Sequence, residues 1–188
     1  MKTQNQTMLS ENTLTSRPTD IIAGFPVRPG FFELNGATPL SNGVNFTAHT
    51  RHGTSCELLL FHSGEEEPFA VLPFPNACRI GDVYSMIVMG LDIEDLEYSY
   101  RIDGPYEPEK GHIFDKTKVL LDPYAKAVAG QREWGQQKIG SYHARVVRDS
   151  FDWEDMPQST RKISDLIIYE LHVRGFTQDA SSGVTHPG

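Results

Sequence analysis

Between Val44 and Asp103 apolar and polar residues repeatedly alternate, and a period of two restricts this stretch to antiparallel sheet with one packed face. Val44, Phe46 and Ala48 interleave with Asn45, Thr47 and His49, which predicts a half-buried strand. Leu96, Tyr98, Tyr100 and Ile102 share one side of a second strand over 96–103. Between them, Ser55–His62 is nearly continuous in apolar residues and runs into Ser63-Gly64-Glu65-Glu66-Glu67-Pro68, whose charges and proline suit an exposed hairpin tip. Phe69–Phe74 is expected to pair back, and Asp82–Met89 to add a further strand. No helical stripe precedes Asp115, so the chain reads as mainly β, with an antiparallel sandwich over 21–112.

The flanks read differently. Residues 1–20 are rich in Thr, Asn, Gln and Ser without period and predict a disordered lead-in. Gly24–Gly43 carries Gly, Pro and Asn around Phe31, Phe32 and Leu34, a turn-rich segment with strands expected only after it. Residues 113–164 read as a connector packing on the sandwich. Asp165–Val173 is a mostly continuous apolar run of the kind found in parallel strands covered on both faces. It is expected to lack neighbours within this chain, which closes on His186-Pro187-Gly188 without a further element and so reads as interrupted. An unpaired apolar strand over 165–173 would invite self-association.

Lys and Arg number 17 against 25 Asp and Glu, a net charge of −8, and no stretch clusters the basic residues. Nucleic acid and anionic membrane are therefore poor partners. No apolar run approaches the roughly eighteen residues of a spanning helix. The first twenty residues hold no apolar core of a secretion signal, and a cytoplasmic location is expected. Cys56 and Cys78 read as buried small hydrophobes in a reducing compartment. The sequons at Asn5 and Asn45 carry no chemistry without secretion.

No phosphate-binding loop and no G-x-S-x-G elbow is present. His49, Arg51, His52 and His62 form the densest histidine group, but without the spacing of a zinc site, and no metal is expected. The acidic tip 65–67 reads as a solvated turn, and Glu170 as a carboxylate bonding neighbouring strands or Arg174. Sugar recognition uses an exposed flat aromatic ring, and the candidates are Tyr84, Trp134 and Trp153, each also readable as buried or interfacial. Asp103-Gly104-Pro105-Tyr106 predicts a strand end and tight turn, with Gly104 permitting positive φ and Pro105 fixing its own. Asp122-Pro123-Tyr124 has similar chemistry.

GVNFTAHT (43–50), YSYRIDGPYEP (98–108), LLDPYAKAVAG (120–130) and DLIIYELHVRGFT (165–177) occur in this order, and together the chain resembles the isoamylase-type and pullulanase-type branch of the α-amylase superfamily, glycogen debranching enzymes in particular. The resemblance implies an immunoglobulin-like sandwich of the carbohydrate-binding type, followed by the first strand of a (β/α)₈ barrel at 165–188. Active sites of such barrels lie on loops after several strands, so the family's nucleophilic Asp, acid/base Glu and second Asp fall beyond Gly188, and no residue here inherits those roles. The implied enzyme hydrolyses α-1,6 branch linkages of glycogen or related α-glucans by retention, has glycogen and maltooligosaccharides as its α-glucan partners, and needs no cofactor. Asp103, Gly104, Pro105 and Tyr106, with Asp122, Pro123 and Tyr124, match motifs that seat the sandwich on the barrel. Where such enzymes often carry a Trp, this chain has Tyr84. A free-standing glucan-binding module is the alternative. Branching and trehalose-forming enzymes share the layout, but HVRGFT and DPYAKA look more like the debranching branch.

Overall fold

Strands form where the alternation places them, and also where it does not. A computed structural model describes residues 17–130, 142–148, 152 and 160–188, in two units, Met1–Asp149 and Ser150–Gly188. In the first unit the strands are β1 (Asp20–Ile22), β2 (Phe25–Pro29), β3 (Gly36–Pro39), β4 (Gly43–His49), β5 (Ser55–His62), β6 (Ala70–Pro73) and β7 (Arg79–Ile80). They continue with β8 (Val83–Met89), β9 (Leu96–Asp103), β10 (Tyr106–Glu107), β11 (His112–Ile113), β12 (Ala127–Ala129) and β13 (His143–Arg145).

One sheet has the order β1-β2-β8-β4-β3, with β7 also paired to β8, and the other the order β12-β13-β9-β5-β6. Every pairing is antiparallel, and β10 and β11 make a separate hairpin. The expected sandwich is thus present, its core built from the alternating side chains of facing strands. Leu58 lies opposite Tyr100 and Leu60 opposite Tyr98 in one sheet; Phe46 lies opposite Met86 in the other. All six are buried. Phe46 meets Tyr98 edge-on at 5.1 Å. Each such side chain contributes about 1.5–3 kcal/mol by leaving water, so this seam dominates the stability of the unit.

The lead segment departs from expectation. Residues 24–43, read as turns, supply β2 and β3 at both flanks of the β8–β4 pair. In β3, Gly36 and Pro39 are tolerated because this strand lies at the sheet's edge, where missing donors cost little. The stretch 113–164 is more than a connector, since β12 and β13 extend the second sheet beyond β9. Leu120 bridges to Tyr100 on the same strand through N–H···O bonds of 2.8 and 2.9 Å.

β4 is not half-buried. Asn45 and Thr47, on its polar side, are as buried as Phe46. The Phe31 N–H donates to Asn45 Oδ1 at 2.7 Å, Asn45 Nδ2 donates to Thr47 Oγ1 at 3.0 Å, and the Thr47 and Ser85 hydroxyls are 2.7 Å apart. The Gly30–Phe31 backbone covers this face, and the cluster keeps its polar atoms bonded while excluding water. The second sheet repeats the pattern with Leu59, Phe61, Glu97, Ser99 and His143 buried on the side away from the seam.

In the second unit the expected strand over 165–173 is absent. Asp165 closes a 3₁₀ turn, residues 166–172 have no regular structure, and Val173–Thr177 forms a short helix, α1. Ile167, Ile168 and Tyr169 are exposed. A strand exists only through ladder bonds to neighbours, and among the described residues no backbone bond reaches 167–171. Among the described residues the first barrel strand is therefore not formed, and they make no closed barrel.

Candidate functional site

Asp103, Gly104, Pro105 and Tyr106 join β9 to the β10–β11 hairpin. Asp103 Oδ1 accepts the Gly104 N–H at 2.9 Å. The glycine serves proximity rather than φ. It is not among the positive-φ glycines, but a Cβ there would stand 2.6 Å from the Phe114 ring. Phe114 thus packs directly on the backbone of the motif and holds the hairpin in place. Tyr106 and Ile113, paired across that hairpin, are both about 70% exposed (71% and 70%).

Asp122, Pro123 and Tyr124 follow the same plan. The Asp122 carboxylate is buried, accepting the Tyr98 hydroxyl on Oδ2 at 2.7 Å and the Tyr124 N–H on Oδ1 at 2.8 Å. Burial pushes the Asp122 carboxyl above its usual value, and burial with the adjoining carboxylate pushes the Tyr98 hydroxyl up. Gly36, at φ +77°, lets the chain pass Tyr124, where a Cβ would meet the Tyr124 carbonyl oxygen at 2.9 Å. Tyr124 itself is exposed. In both motifs a small or acidic residue anchors the turn and a tyrosine is left at the surface.

Tyr84, a candidate sugar platform, is buried in the seam. Phe74 meets its ring edge-on at 5.9 Å, and the Arg79 guanidinium lies 4.8 Å from the ring centroid. Its hydroxyl donates to the Gly53 carbonyl at 3.4 Å. A ring covered on this scale offers no face to a sugar, so the residue's role is packing. Trp134 and Trp153 lie outside the described residues.

An aromatic group not singled out from the sequence lies at the end of β5. His62 stacks on Phe69 with centroids 4.4 Å apart, and Phe25 leans on Phe69 at 6.2 Å. Asp95 fixes the imidazole through a 2.7 Å contact with Nδ1 and accepts the Ser63 N–H at 3.1 Å. These bonds, the backbone one foremost, hold its carboxyl below the usual range. Phe69 is 40% exposed. The hairpin register, in which the Phe69 N–H donates to Leu60 O, brings the two rings together; neither residue signals this in the text of the chain.

The histidines disperse. His62 joins Asp95, His52 meets His112, and His143 contacts Ser99 Oγ at 2.9 Å while stacking on Phe61 at 3.9 Å. Among the described residues no three His, Cys, Asp or Glu converge as metal ligands, and no helix is long and apolar enough to cross a membrane. Cys56 and Cys78 are free and buried.

Comparison with known proteins places these features. Residues 35–125 match carbohydrate-binding module 48, the isoamylase N-terminal domain. A chloroplastic isoamylase of Zea mays is 35% identical over 180 residues, covering 89% of this chain and 22% of the relative. A glycogen debranching enzyme of Salmonella typhi is 35% identical over 156 residues, covering 76% and 23%. The chain thus spans less than a quarter of the length of these curated relatives. Among solved structures, a pullulanase of Paenibacillus barengoltzii complexed with maltotriose is 21% identical with a TM-score of 0.53, covering 79% of this chain and 21% of that one. A type I pullulanase of Bacillus subtilis complexed with maltose is 22% identical with a TM-score of 0.51, covering 80% and 18%. These structures share the fold.

Proposed function

We propose, from the match of residues 35–125 to carbohydrate-binding module 48, the isoamylase N-terminal domain, that this chain is the N-terminal module of an enzyme that hydrolyses α-1,6 branch linkages in glycogen or related α-glucans. The observation that carries the reading is the 35% identity to an isoamylase over 89% of the chain, which extends well outside the matched module. The catalytic carboxylates belong to the remainder of such an enzyme. Retaining glycoside hydrolysis needs two carboxyl groups about 5–5.5 Å apart, one ionised and one protonated. The two buried carboxylates described here are each committed to structure, Asp122 to Tyr98 and Tyr124, Glu97 to Ser63 and Gly64.

The two motif turns give the module its second task. Tyr106, Ile113 and Tyr124 are large exposed side chains on rigidly anchored backbone, suited to docking against a catalytic domain. The free, buried thiols fit a reducing cytoplasmic setting. A glucan contact within the module itself is favoured by one observation, the His62–Phe69–Phe25 group, where an exposed aromatic surface sits beside fixed polar atoms.

Release of reducing ends from pullulan and amylopectin tests the proposal. The complete gene product is expected to release them and the 188-residue chain alone to be inactive. A complete product without α-1,6 activity, or a chain active by itself, would overturn it.

A further inference from the structure

We propose that His52 and His112 form a bidentate site for a divalent transition-metal cation of the imidazole-binding class, such as zinc, joining the turn after β4 to the β10–β11 hairpin. The two rings lie with centroids 4.6 Å apart at 60° although the residues are 60 positions apart in the chain. Zinc–nitrogen bonds are about 2.0–2.1 Å, so two ligand nitrogens on one tetrahedral ion stand about 3.3 Å apart. Rings at this separation reach that distance by side-chain rotation.

The backbone on each side is held independently of any metal. His52 has φ +70°, a left-handed conformation that residues other than glycine seldom adopt. The following Gly53 carbonyl accepts Arg79 Nη2 at 3.1 Å and the Tyr84 hydroxyl at 3.4 Å, which clamps the turn to β7 and β8. The Arg79 charge is turned onto the Tyr84 ring and the Gly53 and Gly81 carbonyls. His112 lies on β11 directly opposite Glu107 of β10, so that carboxylate shares its face of the hairpin. Glu107 is bonded to Lys110 at 2.9 Å. Two imidazoles fix the cation, and water completes the shell. The site is independent of the glucan reading, and its occupancy would stiffen the hairpin that carries Tyr106.

Calorimetric titration of zinc into the 188-residue chain at pH 7.5 tests the site. One equivalent is expected to bind saturably. His52→Ala and His112→Ala should each weaken binding by more than the roughly tenfold that loss of even an outer partner of a ligand costs, and His62→Ala should leave it unchanged. Melting without zinc shows that each variant is folded. Absence of saturable binding, its persistence in the His52→Ala/His112→Ala double variant, or its loss in His62→Ala would overturn the proposal.

Discussion

The Tyr98 hydroxyl donates to Asp122 Oδ2 at 2.7 Å, tying the middle of β9 to the turn that presents Tyr124. Asp122→Ala leaves this hydroxyl and the Tyr124 N–H without their acceptor. Each unmade bond at a buried group costs about 1–3 kcal/mol, so a loss of roughly 2–4 kcal/mol is expected in urea unfolding. Tyr98→Phe should cost less, because the carboxylate keeps the Tyr124 N–H.

Gly30→Ala is expected to be among the most damaging single-methyl additions. A Cβ at this position would lie 2.3 Å from Ser85 Oγ, 2.4 Å from Asn45 Oδ1 and 2.8 Å from the Met86 backbone nitrogen. The backbone contact cannot swing aside, and overpacking costs about 1–3 kcal/mol before the Asn45–Thr47–Ser85 bonds are counted. Thermal melting checks this, with Gly81→Ala as a comparison site where nothing lies within 4 Å and only its φ of +59° opposes the substitution.

Burial holds the His143 imidazole below its ordinary value, partly offset by the nearby Glu97 carboxylate. A group depressed in the folded state binds protons more readily when unfolded. Its contribution to stability is therefore complete above about pH 6.5 and is lost as pH falls through the depressed value. The chain should melt lower at pH 5 than at pH 7, and His143→Gln should reduce that difference. Asp122, raised by burial, acts oppositely, its contribution present below about pH 4 and lost as pH rises through its folded value.

If the β5 end contacts glucan, Phe69→Ala should weaken maltoheptaose binding by about 1–2 kcal/mol, on the order of tenfold, in affinity electrophoresis or calorimetry. Tyr84→Phe should leave it unchanged, since only a 3.4 Å hydroxyl contact is removed. The reverse pattern would move the contact to Tyr84.

Burial pushes the Cys56 thiol up to about 12 and the Cys78 thiol up to about 11. The thiolate is the reactive form. Neither should react with a disulfide reagent at pH 8 until the chain unfolds, and both should then react together.

Much of the fold is legible in the residues. The alternation at Leu96–Ile102 and Val44–Ala48 names the side chains that fill the seam, because a strand's side chains take opposite faces in turn whatever surrounds them. β5 and β9 end where their charges and turn residues place them. β2 and β3 are hidden by their Gly and Pro content, since such short strands draw stability from β8 and β4 rather than from local preference.

The candidate site was legible in part. The two motif turns are readable as turns, but Gly104 is required by the Phe114 ring rather than by its own φ. Tyr84 and Phe69 are both aromatic residues next to polar stretches, and nothing local says that one is covered by Phe74 and Arg79 while the other is half in solvent. The antiparallel sandwich and the pattern of its core follow from the order of residues, because hydrophobic period and backbone geometry are properties of neighbours along the chain. Packing between distant segments makes the polar side of β4 dry, stacks His62 on Phe69, brings His52 to His112 and leaves residues 165–173 without a strand. Each of these depends on which distant backbone or ring arrives from another part of the chain, and burial and hydrogen bonding answer to that arrival.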